Sequence, residues 1–199
     1  MNYRIGKDQL LEILQSWDSI IEGRGRIHLI ACGGTALTLL GYKESTKDVD
    51  FMIPETKEYA RLRQFLLNTG YRELSDWSWV RPDSGILFDL YPGKRVFTTE
   101  LLDSPLRNGG HRKVAEWKKI YLGVLNPIDW IITKMFRGSS IDRDDCRILM
   151  KYENINSMKL ARRYRETAQY DVNPERLLKN LDIVLDDLKN IRRNKKHGK

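Results

Sequence analysis

The sequence predicts an α+β fold in which a small mixed sheet is flanked by helices and followed by an α-helical C-terminal region. Three observations support this prediction. Residues 27–70 alternate between short apolar runs and amphipathic segments, residues 77–91 have a hairpin pattern, and the chain beyond residue 126 has helical periodicity. We therefore expect an α/β domain at residues 1–125 and a helical region at residues 126–199.

The first half of the α/β part is expected to run helix, strand, helix, strand, helix. Apolar residues at helical spacing predict a helix over 7–22, and IHLIAC at 27–32 predicts a buried strand that ends on two glycines. A short helix should follow from Thr35 to Leu40. DVDFMI at 48–53 is the second strand, and TKEYARLRQFLLNTG is a helix with Gly70 as its stop.

The next segments predict an antiparallel hairpin. WSWV at 77–80 and ILFDLY at 86–91 are separated by RPDSG, whose proline, aspartate and glycine are typical of turns. Residues 93–112 are polar and rich in turn formers, and RNGGHRK is predicted to be a mobile loop. The one histidine in this loop, His111, is expected to be solvated.

The C-terminal part is expected to be helical throughout. Asn126 and Pro127 supply an N-cap and a first helical residue for PIDWIITKMFR, a helix that should end at Gly138. A second helix should follow Ser140, and another Asn-Pro pair at 173–174 should begin the last one.

The composition predicts a soluble protein that binds polyanions. Apolar residues make up 41% of the chain, and no apolar run approaches the roughly 18 to 20 residues of a membrane span. The N-terminal residues also lack a secretory signal, so we expect a cytoplasmic protein without membrane contacts. The net charge of +8 favours binding to RNA, DNA or nucleotides. Cys32 and Cys146 have no paired spacing and are expected to be packing residues.

The glycines at 33 and 34 lie between a strand and a helix. Glycines at such a junction let backbone N–H groups approach a phosphate closely. The hydroxyl of Thr35 could add another donor. A tight turn without any ligand is the alternative interpretation of Gly33 and Gly34.

Carboxylates follow on two neighbouring predicted strands. Asp48 and Asp50 are two residues apart, so strand alternation places both on one face. Their mutual repulsion would be relieved by divalent cations, and oxygen ligands favour Mg²⁺ or Mn²⁺. Asp89, in ILFDLY, could join them to form a metal site for in-line displacement. Alternatively, the first two could cap a turn or pair with lysines, and Asp89 could pair with Arg81 or Arg95.

The stretch GGTALTLLGYKESTKDVDFM resembles the DNA polymerase beta-type nucleotidyltransferase superfamily, and within it the minimal nucleotidyltransferase-like proteins that include AbiEii-type toxins. The resemblance implies a nucleotidyltransferase fold. It also implies that Gly33, Gly34 and Thr35 hold the triphosphate of a nucleotide such as ATP. In the same way it implies that Asp48, Asp50 and Asp89 are metal-binding and catalytic residues.

The resemblance extends weakly to about residue 150. NPIDWIITKMFRGSSIDRDDCRILM is similar to a lysine-bearing helix followed by an Asp-x-x-Asp helix, which implies a phosphate contact for Lys134 and support from Asp142 and Asp145. From the residues alone, Lys134 could equally extend along a helix face, and the acids could stabilise a first helical turn.

The expected reaction is transfer of a nucleoside monophosphate from a nucleoside triphosphate to an acceptor. RNA such as tRNA, or a protein, is the expected acceptor, and the resemblance suggests a toxin-antitoxin or defence role. An inactive nucleotidyltransferase-fold module that binds RNA or a protein is the competing interpretation, and modification of a small molecule is a third. Trp77 and Trp79 could stack on bases, although paired tryptophans on a strand are more often core or interface residues.

Overall fold

The computed structural model describes residues 3–81 and 83–197. Pro82 of the predicted turn, the first two residues and the last two residues of the basic tail lie outside the described part. The helices are α1 (Lys7–Ile20), α2 (Gly33–Leu39), α3 (Thr56–Asn68), α4 (Pro127–Arg137), α5 (Ser140–Tyr152), α6 (Ser157–Ala168) and α7 (Pro174–His197). The strands are β1 (Ile5–Gly6), β2 (Ile27–Ala31), β3 (Ser45–Thr46), β4 (Asp48–Ile53), β5 (Arg72–Glu73), β6 (Ser78–Val80), β7 (Leu87–Pro92), β8 (Arg95–Val96), β9 (Thr99–Glu100), β10 (His111–Glu116) and β11 (Ile120–Leu125).

The chain forms two compact units. The first consists of Met1–Thr98 and Asp103–Asn126, and the second of Thr99–Leu102 and Pro127–Lys199. The first unit holds the large sheet and α1 to α3, and the second holds α4 to α7.

A mixed seven-stranded sheet is the centre of the first unit, with the order β10-β11-β2-β4-β7-β6-β5. β11 is parallel to β2 and β4 is parallel to β7, while every other neighbouring pair is antiparallel. The predicted α+β class, a mixed sheet with flanking helices followed by a helical region, is therefore confirmed.

Strand alternation gives the sheet one strongly apolar face. Val49 and Phe51 of β4 are fully buried, whereas Asp48 and Asp50, which alternate with them, are only partly buried. Phe88 of β7 lies on the apolar face, where its ring centroid is 5.0 Å from that of Trp17 in α1. Aromatic side chains of this size contribute much of the area that holds helices onto a sheet. Asp48 and Asp50 therefore lie on the opposite, polar face of β4.

The structure corrects the prediction for the segment after β7. RNGGHRK was expected to be a loop, but its last three residues begin β10, which pairs with β11. The apolar periodicity of the sequence predicted neither β10 nor β11. β10 is a polar edge strand without alternating apolar side chains, so it gives no strand pattern. His111, which was expected to be solvated, is partly buried: its Nδ1 lies 2.7 Å from the backbone oxygen of Pro105 and its Nε2 lies 2.8 Å from the hydroxyl of Tyr121.

The second unit contains four helices, and the predicted starts of three of them, α4, α5 and α7, are confirmed. α4 begins at Pro127 and α7 at Pro174, as their Asn-Pro pairs indicated. α5 begins with a capping box in which the Ser139 side chain and the Asp142 side chain each bond the other's backbone N–H. Apolar residues of α7, among them Leu177, Leu181 and Val184, are buried.

Both cysteines are buried and neither forms a disulfide, as expected for packing residues. Burial raises the pKa of the Cys146 thiol well above its usual range. In residues 3–81 and 83–197, no helix is long and apolar enough to cross a membrane.

Candidate active site

The three predicted acids come together on two adjacent strands. β4 and β7 are parallel, and their register places Asp50 directly opposite Asp89. Asp48 lies two residues before Asp50, so its side chain leaves β4 on the same face. Because neighbouring strands are about 4.8 Å apart, the three carboxylates share one small area of the polar face.

Asp48 has a carboxylate oxygen with no hydrogen-bond partner. Its Oδ1 atom is buried and is one of four such unpaired side-chain atoms in the described part of the chain. A buried anionic oxygen without a donor costs free energy. A cation at this position would satisfy that oxygen, so the site has a feature that a metal ion would explain.

Asp89 is held by hydroxyl groups. The hydroxyl of Ser78 donates to Oδ1, and the hydroxyl of Tyr91 lies 3.5 Å from Oδ2. Burial raises the pKa of the Asp89 carboxyl, the two hydroxyls act in the opposite direction, and the charge of Asp48 raises it further. The pairing of Asp89 with an arginine is not formed: Arg81 pairs instead with Asp83 at 2.9 Å.

The double glycine packs directly against β4. A Cβ atom built on Gly33 would lie 2.1 Å from Oδ2 of Asp50, and Gly33 has a φ of +53°. A Cβ atom on Gly34 would lie 2.6 Å from Oγ1 of Thr46. Neither position has room for a side chain, so glycine allows the backbone to approach Asp50 at position 33 and Thr46 at position 34.

Thr35 aligns the acidic strand. Its hydroxyl accepts a hydrogen bond from the backbone N–H of Asp50 at 2.8 Å and donates to the backbone oxygen of Asp48 at 3.2 Å. The side chain is fully buried. Donation by this hydroxyl to a triphosphate would require its bond to the Asp48 oxygen to break, and in this structure Thr35 has a positioning role.

The acids share a face without converging on one point. Among the His, Cys, Asp and Glu residues that the structure describes, no group of three or more is placed so that it could hold a metal ion. The carboxylate of Asp89 is turned towards Ser78, and that of Asp50 lies against Gly33. Joint ligation of one ion by the three acids would require a side-chain rotation.

Lys134 lies in the second unit and is paired with the acids of α5. Its Nζ is 2.8 Å from Oδ2 of Asp145 and 3.3 Å from Oδ1 of Asp142, and it lies 5.5 Å from the ring centroid of Trp130. The residues matched by the resemblance, Lys134, Asp142 and Asp145, therefore form one buried cluster. The predicted phosphate contact of Lys134 stays a prediction.

Comparison with known proteins finds a likeness to a solved crystal structure. It is a protein from H. pylori that is provisionally described as a nucleotidyltransferase, with a TM-score of 0.45 and 16% identity over 95% of each chain. No protein-family model matches the sequence, and no curated protein matches it.

Sequence reasoning missed the two hydroxyls beside Asp89. A signal for one of them was present, because the hairpin pairs Val80 with Leu87 and therefore Ser78 with Asp89. Counting outward from the predicted turn would have placed this serine opposite the acid. Tyr91 follows Asp89 by two residues and shares its face for the same reason.

Proposed function

We propose that this chain is a Mg²⁺-dependent nucleotidyltransferase that moves a nucleoside monophosphate from a nucleoside triphosphate to an acceptor, RNA such as tRNA or a protein. The observation that carries the proposal is the meeting of Asp48, Asp50 and Asp89 beside a glycine bend that has no room for a side chain. The likeness of the sequence around this bend to polymerase beta-type nucleotidyltransferases points to the same chemistry.

The donor set suits a hard cation. Asp48 and Asp50 would hold Mg²⁺ or Mn²⁺, and the unpaired oxygen of Asp48 supports this assignment. Asp89 would complete the site after its carboxylate leaves the hydroxyl of Ser78. A bound ion would neutralise charge on the triphosphate oxygens and lower the pKa of the attacking hydroxyl.

The protein groups have separate tasks in this reaction. Asp89 would accept the proton of the acceptor hydroxyl. The acceptor oxygen forms a bond to the α-phosphorus as the bond to the pyrophosphate oxygen breaks. The backbone at Gly33 lies close to Asp50, and the backbone N–H groups of Gly33 and Gly34 would bind the triphosphate there.

The charge of the chain supports a polyanionic acceptor. A net charge of +8 would increase the rate at which RNA reaches the site and would make that association depend on salt. A toxin-antitoxin or defence role rests on the sequence resemblance to AbiEii-type proteins, and it belongs to the proposal on that ground alone.

A second candidate is an inactive module of the same fold that binds RNA or a protein partner. The observation in its favour is that the described side chains, as they stand, form no group of three ligands for a metal ion. Such a module would retain the basic charge and the sheet but would have no use for the unpaired oxygen of Asp48.

A labelling assay separates the two candidates. The protein is incubated with Mg²⁺, each labelled nucleoside triphosphate and a cell extract, next to an Asp48→Ala/Asp50→Ala double variant and an Asp76→Ala control, whose side chain is exposed in the same unit. We expect label in RNA or protein with wild type and the control, and none with the double variant. Labelling that persists in the double variant, or RNA binding without any labelling or metal requirement, would contradict the enzymatic proposal.

A further inference from the structure

Three aromatic side chains lie next to the third acid of the candidate site. We define Trp77, Tyr91 and Phe97 as the aromatic cluster. The ring centroid of Trp77 is 6.3 Å from that of Tyr91 and 6.1 Å from that of Phe97. We propose that this cluster, together with Arg95, binds an unpaired base at the end of a single-stranded RNA acceptor. This inference rests on the proposed function, because it places the acceptor beside Asp89.

The cluster is joined to Asp89 through the backbone and through Tyr91. The Tyr91 hydroxyl lies 3.5 Å from Oδ2 of Asp89. The backbone N–H of Leu90 donates to the backbone oxygen of Trp77 at 2.8 Å, which fixes Trp77 beside the strand that carries the acid. A base stacked on the cluster would therefore lie beside the strand that carries the carboxylate.

Exposure distinguishes Trp77 from its neighbour Trp79. Trp79 is fully buried in the core opposite Phe88, whereas Trp77 is only partly buried. Phe97 is exposed over 44% of its surface. The core therefore accounts for one of the two alternating tryptophans, and it leaves the other partly exposed between Tyr91 and Phe97.

The backbone holds Phe97 in an unusual conformation. Its φ is +52°, and among the described residues it is the only one other than glycine with a positive φ. A bulky side chain in this region costs free energy, and such residues are concentrated at functional sites. Arg95 stabilises the turn, because its Nε donates to the backbone oxygen of Phe97 at 3.0 Å. The turn thus places an exposed aromatic ring in a strained backbone conformation. Burial of that ring does not explain the strain, because the ring is 44% exposed.

Charge favours RNA over a peptide as the occupant. Arg95 has no carboxylate partner in the described part of the chain, so its terminal nitrogens can meet a phosphate. Flat rings with an adjacent guanidinium match a base and the phosphate that follows it. A base can reach these rings only when it is unstacked, which a single-stranded end provides and a duplex does not.

Binding of a short single-stranded RNA, measured by fluorescence anisotropy without nucleotide or metal, tests the inference directly. A Trp77→Ala/Phe97→Ala variant should bind roughly 5- to 100-fold more weakly, because each stacked base contributes about 1 to 3 kcal/mol. Trp77→Phe should keep most of the affinity because it keeps a ring. Tyr170→Ala is the matched control: this aromatic residue is 82% exposed in the other unit, and its loss should leave the affinity unchanged.

The inference and the proposed function can fail separately. Equal affinity of wild type and the Trp77→Ala/Phe97→Ala variant for the RNA would overturn the inference, as would tighter binding of a duplex than of the single strand. The inference would also be overturned if the label were transferred to a protein acceptor and the Trp77→Ala/Phe97→Ala variant had a raised KM for that protein. Weaker RNA binding by the variant, in a protein that transfers no label, would support the cluster and contradict only the enzymatic proposal.

Discussion

A Cβ atom at Gly33 would lie 2.1 Å from the Oδ2 atom of Asp50, so the absence of a side chain at one residue determines where the carboxylate of the other can lie. The contact connects the turn after β2 with the acidic strand β4. The contact therefore explains why position 33 is glycine without reference to any ligand.

Substitution of Gly33 by alanine should disturb both the fold and the candidate site. The positive φ and the collision with Asp50 should together lower the free energy of unfolding by about 1 to 3 kcal/mol. Denaturant unfolding measures this change. Gly41→Ala is the matched control, because Gly41 also has a positive φ, +75°, but a Cβ atom there would meet no atom within 4 Å. Equal losses in the two variants would show that the contact with Asp50 contributes nothing.

Thr35→Val should destabilise the protein while Thr35→Ser should not. Valine has a similar shape but leaves the buried backbone N–H of Asp50 without its acceptor at 2.8 Å. An unsatisfied buried donor costs about 1 to 3 kcal/mol. Thermal and denaturant unfolding of the two variants would measure the difference. A stable valine variant that loses only nucleotide affinity would instead assign the hydroxyl to the triphosphate.

Lys134→Met should lower the free energy of unfolding by about 3 to 5 kcal/mol, because it removes a buried cation from Asp145 and from Asp142, which keeps only its bonds from Arg137 and Ser139. Asp142 and Asp145 would lose the ammonium that lies 3.3 Å and 2.8 Å from them. Lys159→Met, at an exposed position in the same unit, is the control. Unchanged stability of Lys134→Met would mean that the lysine is available for a ligand.

The stability contributed by Asp142 should be lost in acid. Burial alone would raise the pKa of this carboxyl, but the hydrogen bonds from Arg137 and Ser139 and the charge of Lys134 lower it from 3.8 to about 2. A lowered folded-state pKa stabilises the protein above the unfolded value, and the contribution disappears as the pH falls through the folded value. The shift corresponds to roughly 2 kcal/mol near neutral pH, of which about half should be gone by about pH 3.

Unfolding free energies of wild type and Asp142→Asn, measured between about pH 6 and about pH 3, check this expectation. The gap between the two proteins should narrow as the pH falls, because wild type loses the contribution that the variant lacks. A gap that stays constant would show that the Asp142 carboxylate keeps the same pKa in the folded and unfolded states.

Local patterns predicted the helices and strands that begin or end at a glycine, a proline or an Asn-Pro pair. β2 and β4 were predicted because apolar runs end on Gly33 or Pro54, and α4 and α7 were predicted because each begins at an Asn-Pro pair. β10 and β11 were not predicted, since a polar edge strand has no alternation and its partner is only a short apolar run. α2 begins at Gly33, two residues earlier than expected.

The sequence by itself determined the α+β class and the placement of Asp48 and Asp50 on one face, because the alternation of a strand is a property of its own backbone. Only the tertiary structure decided that Asp50 lies opposite Asp89, that the hydroxyl of Thr35 is bonded to β4, and that Lys134 is paired with acids of α5. These relationships join residues far apart in the chain. They depend on strand order, register and helix packing, which no local pattern encodes.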